Sequence, residues 1–230
     1  MKKIFFTLFL TLFTIISFAQ QGISYSGGTS TKMDYAFLSL KNDDDMGVKG
    51  SKYLNDNFVR AKISDFEDKV FAVRYDIYND QMEFQGGNNQ VYIMNKNERT
   101  RKITFLDTND AYLIFDYVGD NGEIRSGYFS ALTANNSYQL LKKNKVIFIE
   151  EKASATGYDA PKPAMFKKTK DRHYVIINGA PAILVDTNKK RFSAQFKGQQ
   201  KEVLTYIKKN KIRLNDDNDL IKLVKFLNSK

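Results

Sequence analysis

Hydrophobic and polar residues alternate through the middle of the chain. In residues 69–78, Phe71, Val73 and Tyr75 fall on one face and the residues between them on the other. A period of two is typical of a strand with one buried face. Segments of similar character follow at 81–85, 91–93, 103–106, 111–118, 123–132, 138–141, 146–150, 173–178 and 182–185. The pattern predicts a β domain over residues 50–186.

Short turn sequences separate these segments. Asn79-Asp80, Asn121-Gly122 and Lys143-Asn144 are three of them. An Asn-Gly pair favours a tight hairpin because both residues tolerate positive φ. No long helical pattern lies between the turns, so we expect consecutive strands to pair antiparallel. Three architectures remain open: a meander, a sandwich and an open barrel-like sheet.

The spacing of hydrophobic residues changes in the last part of the chain, residues 187–230. Residues 199–209 and 217–228 carry apolar positions at helical spacing. Asp186-Thr187-Asn188 and Asn215-Asp216 offer caps for the first and last helices. We therefore expect two to three short C-terminal helices packed on the sheet, which makes the fold class α+β with a predominantly antiparallel sheet.

Two stretches lack either pattern. Residues 20–49 are predicted as an irregular N-terminal segment. Residues 153–166 contain two of the three prolines and are predicted as a loop, which is long for a compact domain.

Residues 1–19 have the three parts of a secretory signal peptide. Two lysines precede an apolar run at 4–16, and Ser17-Phe18-Ala19 places small residues where signal peptidase recognises them. We expect cleavage between Ala19 and Gln20. The alternative, an uncleaved anchor, is disfavoured because a spanning helix needs about 20 apolar residues.

Export sets the expected location and chemistry of the mature chain. We expect a water-soluble periplasmic or secreted protein without a transmembrane segment after cleavage, because no second apolar run is long enough. The chain has no cysteine, so its stability depends on packing and sheet hydrogen bonds rather than disulfides.

Positive charge is concentrated in one stretch. The formal charge is +10, and loss of the two signal-peptide lysines leaves +8. Residues 142–213 carry 18 Lys and Arg against 6 Asp and Glu, a net of +12. Export argues against nucleic acid as the partner, so anionic lipid, acidic glycan or an acidic envelope protein is expected. The alternative is a solvated basic surface without a ligand.

Within this stretch, the predicted loop and the lysines after it form the candidate binding site. Loops carry function more often than the strands that hold them. A site combining apolar and basic groups suits an anionic, partly apolar ligand. The candidate residues are Tyr158, Lys162, Met165, Lys167, Lys168 and Lys170.

The residue inventory disfavours several chemistries. With one histidine and no cysteine, the chain lacks Cys nucleophiles, Cys zinc sites and multi-His metal sites. His173 at a strand end is explained without catalysis. The acidic runs 43–45 and 216–219 lack the Gly and Glu spacing of a calcium loop. We assign no catalytic residue, metal ligand or cofactor.

Carboxylates suited to glycoside hydrolysis remain an alternative, since their separation is a three-dimensional property. Asp76, Glu83 and Asp116 are examples, and each falls on the polar side of a strand or beside a turn. We expect these three residues to lie on a solvated face of the sheet.

Three short motifs resemble a known group of sequences. Gly50-Ser51-Lys52-Tyr53-Leu54, Arg74-Tyr75-Asp76 and Met82-Glu83, with a basic tail at 201–229, resemble uncharacterised exported β-rich proteins of Bacteroidota. The resemblance covers about residues 50–230. It implies export and a β-then-α order, and it implies no activity.

These observations favour a non-enzymatic envelope or secreted binding protein. The alternatives are a carboxylate-based hydrolase and an assembly factor that pairs with another chain through a sheet edge.

Overall fold

A computed structural model describes residues 37–39, 48–66, 69–86, 90–97, 99–153 and 160–230, with side chains from residue 48 onward. Several predictions fall outside this part of the chain: the signal peptide 1–19 with its cleavage point at Ala19 and Gln20, most of segment 20–49, and Tyr158.

Strands are the commonest regular element of the described chain. They are β1 (Phe37–Ser39), β2 (Val59–Ile63), β3 (Val70–Asp76), β4 (Gln81–Gln85), β5 (Val91–Met94), β6 (Ile103–Phe105), β7 (Ala111–Val118), β8 (Ile124–Ala131), β9 (Tyr138–Lys143), β10 (Val146–Ile149), β11 (Met165–Lys168), β12 (Arg172–Ile177) and β13 (Ile183–Leu184). Three helices follow: α1 (Lys189–Ala194), α2 (Gln200–Lys209) and α3 (Asp217–Asn228). The predicted α+β class is confirmed.

Eleven strands form one antiparallel sheet that curls into a half-barrel. Their order is β1-β5-β4-β3-β2-β6-β7-β8-β9-β12-β13. Of the three predicted architectures, the open barrel-like sheet is therefore the one observed. The remaining two strands, β10 and β11, pair with each other as a separate ribbon.

The strand order departs from a simple meander at two places. The hairpins β3–β5 extend to one side of β2, and β6 then returns to pair with its other side. The β10–β11 ribbon leaves the sheet after β9, and β12 returns to pair with β9. Both returns bring together residues that are far apart in sequence.

The last strand closes part of the sheet into a ring. Ala182, just before β13, accepts a hydrogen bond from the Val118 amide at 2.9 Å and donates one to the Asp116 carbonyl at 2.7 Å. Since β13 also pairs with β12, strands β7, β8, β9, β12 and β13 are hydrogen-bonded in a circuit. Phe129 and Tyr174 fill its interior with ring centroids 5.2 Å apart.

The helices pack on the outer face of this ring. On β12, Tyr174 and Ile176 point into the ring, whereas Val175 points to the helices. Leu223 of α3 and Ile207 of α2 are fully buried in the same helical layer. Strand β12 is thus buried on both faces, which explains its nearly continuous apolar sequence.

Both predicted helix caps are confirmed. The Asn188 side chain accepts from the Lys190 and Arg191 amides at 3.1 Å each, and Asp216 accepts from the Asp219 amide at 3.1 Å. These side chains satisfy amide groups that have no partner within the first helical turn.

Residues 48–58, the N-terminal strap, join the β10–β11 ribbon to β3. Lys49 donates to the Ala164 carbonyl at 3.0 Å and accepts from the Phe166 amide at 2.8 Å, and Leu54 donates to the Tyr75 carbonyl at 2.9 Å. Gly50 has a φ of +78°, and its Cα faces the Phe166 carbonyl. The strap can approach the ribbon this closely only because residue 50 lacks a Cβ.

Replacing Gly50 with alanine should destabilise the protein. A Cβ would clash with the Phe166 carbonyl oxygen and would sit on a backbone of positive φ. The control is Gly179→Ala, where φ is +73° but a Cβ meets nothing within 4 Å. In urea unfolding, both variants should lose the conformational cost of about 1 kcal/mol. Gly50→Ala should lose clearly more, and equal losses would show that the close approach to Phe166 is not required.

Candidate anion-binding cleft

A cleft of about 180 Å³ opens at one end of the ring. Four segments line it: the turn after β3 at 77–80, the end of β7 and its turn at 117–120, the β9–β10 turn at 143–146, and the start of β12 at 172–174. Three of these segments are turns, so their side chains converge at one end of the sheet.

Asp80 forms the floor of the cleft and is a hub of hydrogen bonds. Its carboxylate accepts from the Lys143 ammonium at 2.7 Å, the Lys96 ammonium at 2.9 Å and the Tyr75 hydroxyl at 2.7 Å. It also accepts from the Tyr128 amide at 3.3 Å. Burial acts to raise the Asp80 pKa, but the two ammonium groups outweigh it and hold the pKa below 3.8.

Lys143 is buried against the aromatic interior of the ring. Its ammonium lies 4.8 Å from the Phe129 ring centroid and 5.4 Å from that of Tyr117. Burial lowers the Lys143 pKa, although Asp80 opposes the shift. The pair passes directly over Gly127, where a Cβ would lie 2.7 Å from Asp80 Oδ2 and 2.8 Å from Lys143 Nζ. A Cβ at this position of β8 would therefore displace the Asp80–Lys143 pair from its observed place.

Two further cations stand at the mouth of the cleft. Arg172 donates to Asp120 at 2.7 Å, and Asp120 is 73 % exposed. Lys145 is partly buried, and its ammonium has no ion-pair partner among the described residues. Burial and the neighbouring Arg172 charge lower the Lys145 pKa, while Asp120 opposes them. Arg172 thus pairs with the Asp120 carboxylate at the mouth, whereas Lys145 feels that carboxylate only through a longer-range Coulomb interaction.

Two of the three tyrosines that line the cleft, Tyr117 and Tyr174, can supply neutral hydrogen bonds. Burial raises the pKa of Tyr117 and of Tyr174, and Asp80 contributes to the increase at Tyr117. Arg172 hydrogen-bonds the Tyr174 side chain, which works against the shift there. Both phenols therefore stay protonated at neutral pH and can donate to an anion.

The arrangement is suited to bind one small anionic group. The cleft is smaller than the 300–1,000 Å³ of a drug-sized ligand site, so it admits a terminal group rather than a large molecule. An anion between Lys145 and Arg172 would offset the excess positive charge, and Arg172 offers the planar geometry that carboxylates and phosphates bind well.

The lysines predicted from sequence do not line this cleft. The predicted loop 153–166 ends early, because Met165 already begins strand β11. Alternation along β11 puts Met165 and Lys167 on one face of the ribbon and Lys168 on the other. Lys168 donates to the Leu54 carbonyl of the strap at 2.9 Å. Adjacent lysines in this strand therefore point away from each other.

Lys162 and Lys170 are exposed on either side of β11, and Lys162 forms a backbone bridge with Lys152. The structure thus distributes the described members of the predicted site over two faces of the ribbon. Two other lysines of the same basic stretch line the cleft. Lys143 belongs to the predicted turn Lys143-Asn144, and Lys145 directly follows it. Density of charge identified the stretch, but it did not identify these residues.

The predicted solvated face is wrong for two of its three carboxylates. Asp76 is 0 % exposed and Glu83 is 1 % exposed. Only Asp116 is at the surface, where it pairs with Arg99 and accepts from Ser126. The alternating pattern placed Asp76 and Glu83 on the polar side of their strands, and the N-terminal strap covers them there.

A cation pairs with each buried carboxylate: Lys52 of the strap with Asp76, and Arg74 of β3 with Glu83. Lys52 lies 3.6 Å from Asp76, and Arg74 donates to Glu83 at 2.6 Å while stacking 3.6 Å from the Tyr53 ring centroid. Burial raises the Glu83 pKa, although Arg74 opposes the shift. All of these residues belong to the three motifs that carry the sequence resemblance. In this structure the motifs build a buried ion network rather than an open catalytic site.

His173 connects the sheet to the helices. Its Nε2 lies 2.6 Å from the carboxylate of Asp217 at the start of α3, and Lys142 donates to the same carboxylate at 3.0 Å. Burial acts to raise the Asp217 pKa, but the contacts with His173 and Lys142 hold it below the ordinary value. The histidine is thus engaged in a sheet-to-helix contact.

The acidic run at 216–219 is also engaged in local contacts. Asp216 caps α3, and Asp219 accepts from the Arg213 side chain at 2.8 Å. In the part of the chain that the structure describes, no three His, Asp or Glu residues are grouped to hold a metal ion. Within those same residues, no helix is both long and apolar enough to cross a bilayer.

Comparisons with protein-family models, with curated proteins and with solved structures found no match to this chain. The function is therefore argued from the site itself.

Replacing Asp80 with asparagine should strongly destabilise the protein at neutral pH. Asparagine tolerates the positive φ of 54° at this position, but it leaves the buried Lys143 without its counter-charge. We expect a loss of about 3 kcal/mol in the free energy of unfolding. The control is Asp116→Asn, which removes a surface pair and should cost little.

The loss at Asp80 should depend on pH. Because the folded pKa lies below the unfolded value of 3.8, the carboxylate stabilises the fold fully above that pH. Its contribution disappears as the pH falls through the folded pKa. The difference in the free energy of unfolding between wild type and Asp80→Asn should therefore shrink as the pH falls below about 4 and vanish below the folded pKa. A difference that stays constant with pH would contradict the ionic role of Asp80.

Proposed function

We propose that the protein is an exported, non-enzymatic binding protein, periplasmic or secreted, that binds an anionic group of its ligand in this cleft. The observation that carries the proposal is that Lys145 and Arg172 line one concave site and that, of these two cations, only Arg172 is paired with a carboxylate of the described residues, that of Asp120. The export part rests on the sequence of residues 1–19, and it agrees with the resemblance to exported proteins of Bacteroidota.

Electrostatics favours an anion at this position. A unit charge about 4 Å from a cation at a protein surface gains about 4 kcal/mol of Coulomb energy before desolvation. Here the anion would be stabilised by two cations whose mutual repulsion it reduces. The lowered pKa of Lys145 reflects that repulsion together with burial.

The floor supports binding without competing for the ligand. Asp80 is already neutralised by Lys143 and Lys96, and its other contacts fix its position. A site whose supporting groups are already ordered loses less entropy when the ligand binds. The mouth cations therefore act on a rigid base.

Anionic lipid, acidic glycan and an acidic envelope protein all carry groups of the right charge. The exposed residues Lys162, Lys167, Lys168 and Lys170 stay a second candidate surface for the same classes of ligand. The cleft is the better supported of the two because its cations converge on one point, whereas the β11 lysines diverge.

Variants at the mouth should weaken anion binding. We expect Lys145→Gln and Arg172→Gln each to weaken the binding of inorganic phosphate by roughly tenfold, which corresponds to the loss of one charge-assisted hydrogen bond. Binding is measured from amide chemical shifts of the chain lacking residues 1–19. Raising the salt from about 20 to about 150 mM should also weaken it, since charges are screened over about 8 Å at the higher value.

The matched control is the triple change of Lys167, Lys168 and Lys170 to Gln, which removes more charge but leaves the cleft intact. It should change phosphate affinity by less than either single cleft variant. If the triple variant loses as much affinity as Arg172→Gln, the attraction is diffuse and the cleft is not the site.

A further inference from the structure

An exposed aromatic surface adjoins the cleft. Tyr78 is 46 % exposed and itself lines the cleft, and Phe148 of β10 is 38 % exposed. Both rings rest on Phe166 of β11, with centroid separations of 5.1 Å and 5.2 Å. We call these three residues the aromatic shelf.

Strand register places the shelf beside the mouth cations. Val146 lines the cleft, and Phe148, two residues further along β10, shares its face. Phe148 pairs directly with Phe166 across the ribbon. Lys145, Val146 and Tyr78 all line the cleft, so the Lys145 side chain and the Tyr78 ring border the same concavity.

The exposure of these two rings is unusual within the protein. In the described part of the chain, Tyr78 and Phe148 are the two aromatic side chains that are largely exposed, while the other exposed large hydrophobic residues are aliphatic. Scattered exposed apolar residues are ordinary, but a contiguous apolar patch often marks a binding site. Here the patch also adjoins a recessed charged site.

Building on the proposed function, we propose that the cleft and the shelf together bind an acidic sugar unit of a glycan. The sugar carboxylate would lie between Lys145 and Arg172, and the apolar C–H face of the sugar ring would pack on Tyr78 and Phe148. Asp120 lines the same cleft, and its exposed carboxylate offers an acceptor for a sugar hydroxyl. Charge and ring are then recognised by separate groups.

A glycan fits these features better than an anionic membrane does. The exposed carboxylate of Asp120 stands at the mouth and would repel a surface dense in phosphates. A single sugar carboxylate brings one negative charge to the two cations, and it therefore meets less of that repulsion than a dense phosphate surface does. The shelf rings are also held by Phe166, which suits stacking on a flat sugar face more than insertion among lipid chains.

The test compares three probes on the chain lacking residues 1–19. Tetragalacturonate carries both sugar rings and carboxylates, its methyl ester keeps the rings without the charge, and inorganic phosphate keeps charge without rings. By calorimetry and amide shifts, tetragalacturonate should bind at least about tenfold more tightly than either of the others. Tight binding of the ester would overturn the role of the cations.

Removing the Tyr78 ring from the aromatic shelf should weaken the binding of tetragalacturonate but not that of phosphate. Tyr78→Leu should weaken tetragalacturonate binding by about three- to tenfold, the scale of one aromatic contact, and leave phosphate affinity unchanged. Tyr78→Phe should retain most of the affinity. The control is Tyr206→Leu, which removes a partly exposed ring that lies near lysines on the helices and stacks on Phe226 at 3.8 Å. It should have no effect, and thermal melts verify that each variant is folded.

The outcomes separate this inference from the proposed function. If phosphate binds as tightly as tetragalacturonate and Tyr78→Leu changes neither, the sugar inference fails while the anion site stands. If no anion binds at the cleft, the proposed function fails. If vesicles rich in phosphatidylglycerol bind more tightly than tetragalacturonate, and Arg172→Gln abolishes that binding, the ligand is a lipid headgroup and the sugar inference is overturned.

Discussion

The ion pair between Asp80 and Lys143 joins the half-barrel to the ring, and the walls of the cleft take their positions from it. Asp80 lies in the turn after β3, whereas Lys143 ends β9, and Gly127 of β8 leaves room for the contact. A buried pair of this kind contributes little net stability, but removing one partner leaves an uncompensated charge. Arrangements that separate the two parts of the sheet are therefore disfavoured, and the mouth residues Lys145 and Arg172 are held close together.

Much of the fold follows from local sequence. Alternation predicted β7 with its observed bounds, and helical spacing with an Asp216 cap predicted α3. Strand β2 was not predicted, although Val59-Arg60-Ala61-Lys62-Ile63 alternates, because five residues give a weak signal beside an irregular segment. Alternation also cannot distinguish a face covered by water from one covered by another segment of chain. That limit explains why Asp76 and Glu83 are buried beneath the strap rather than solvated.

The cleft was less accessible to sequence reasoning because it is assembled from distant turns. The turn after β3, the β7–β8 turn and the β9–β10 turn were each predicted as turns, but their convergence depends on the return of β12 to β9 and of Ala182 to β7. Charge density identified the basic stretch 142–213, which contains both mouth cations. It favoured the lysines near β11 because they are clustered in sequence, whereas the structure separates them by strand alternation. A pattern of charge predicts where cations are numerous, and only the folded chain shows where they converge.

The pKa of the Lys145 ammonium tests most directly whether Lys145 and Arg172 form one anion-binding site. It can be measured by NMR of the side-chain nitrogen with and without phosphate. Because burial and the Arg172 charge disfavour the charged form of Lys145, its pKa should lie below 10.5 in the free protein. Phosphate should raise that pKa, and so should Arg172→Gln in the absence of phosphate. A Lys145 pKa at its ordinary value that responds neither to phosphate nor to Arg172→Gln would contradict the claim that the two cations form one anion-binding site.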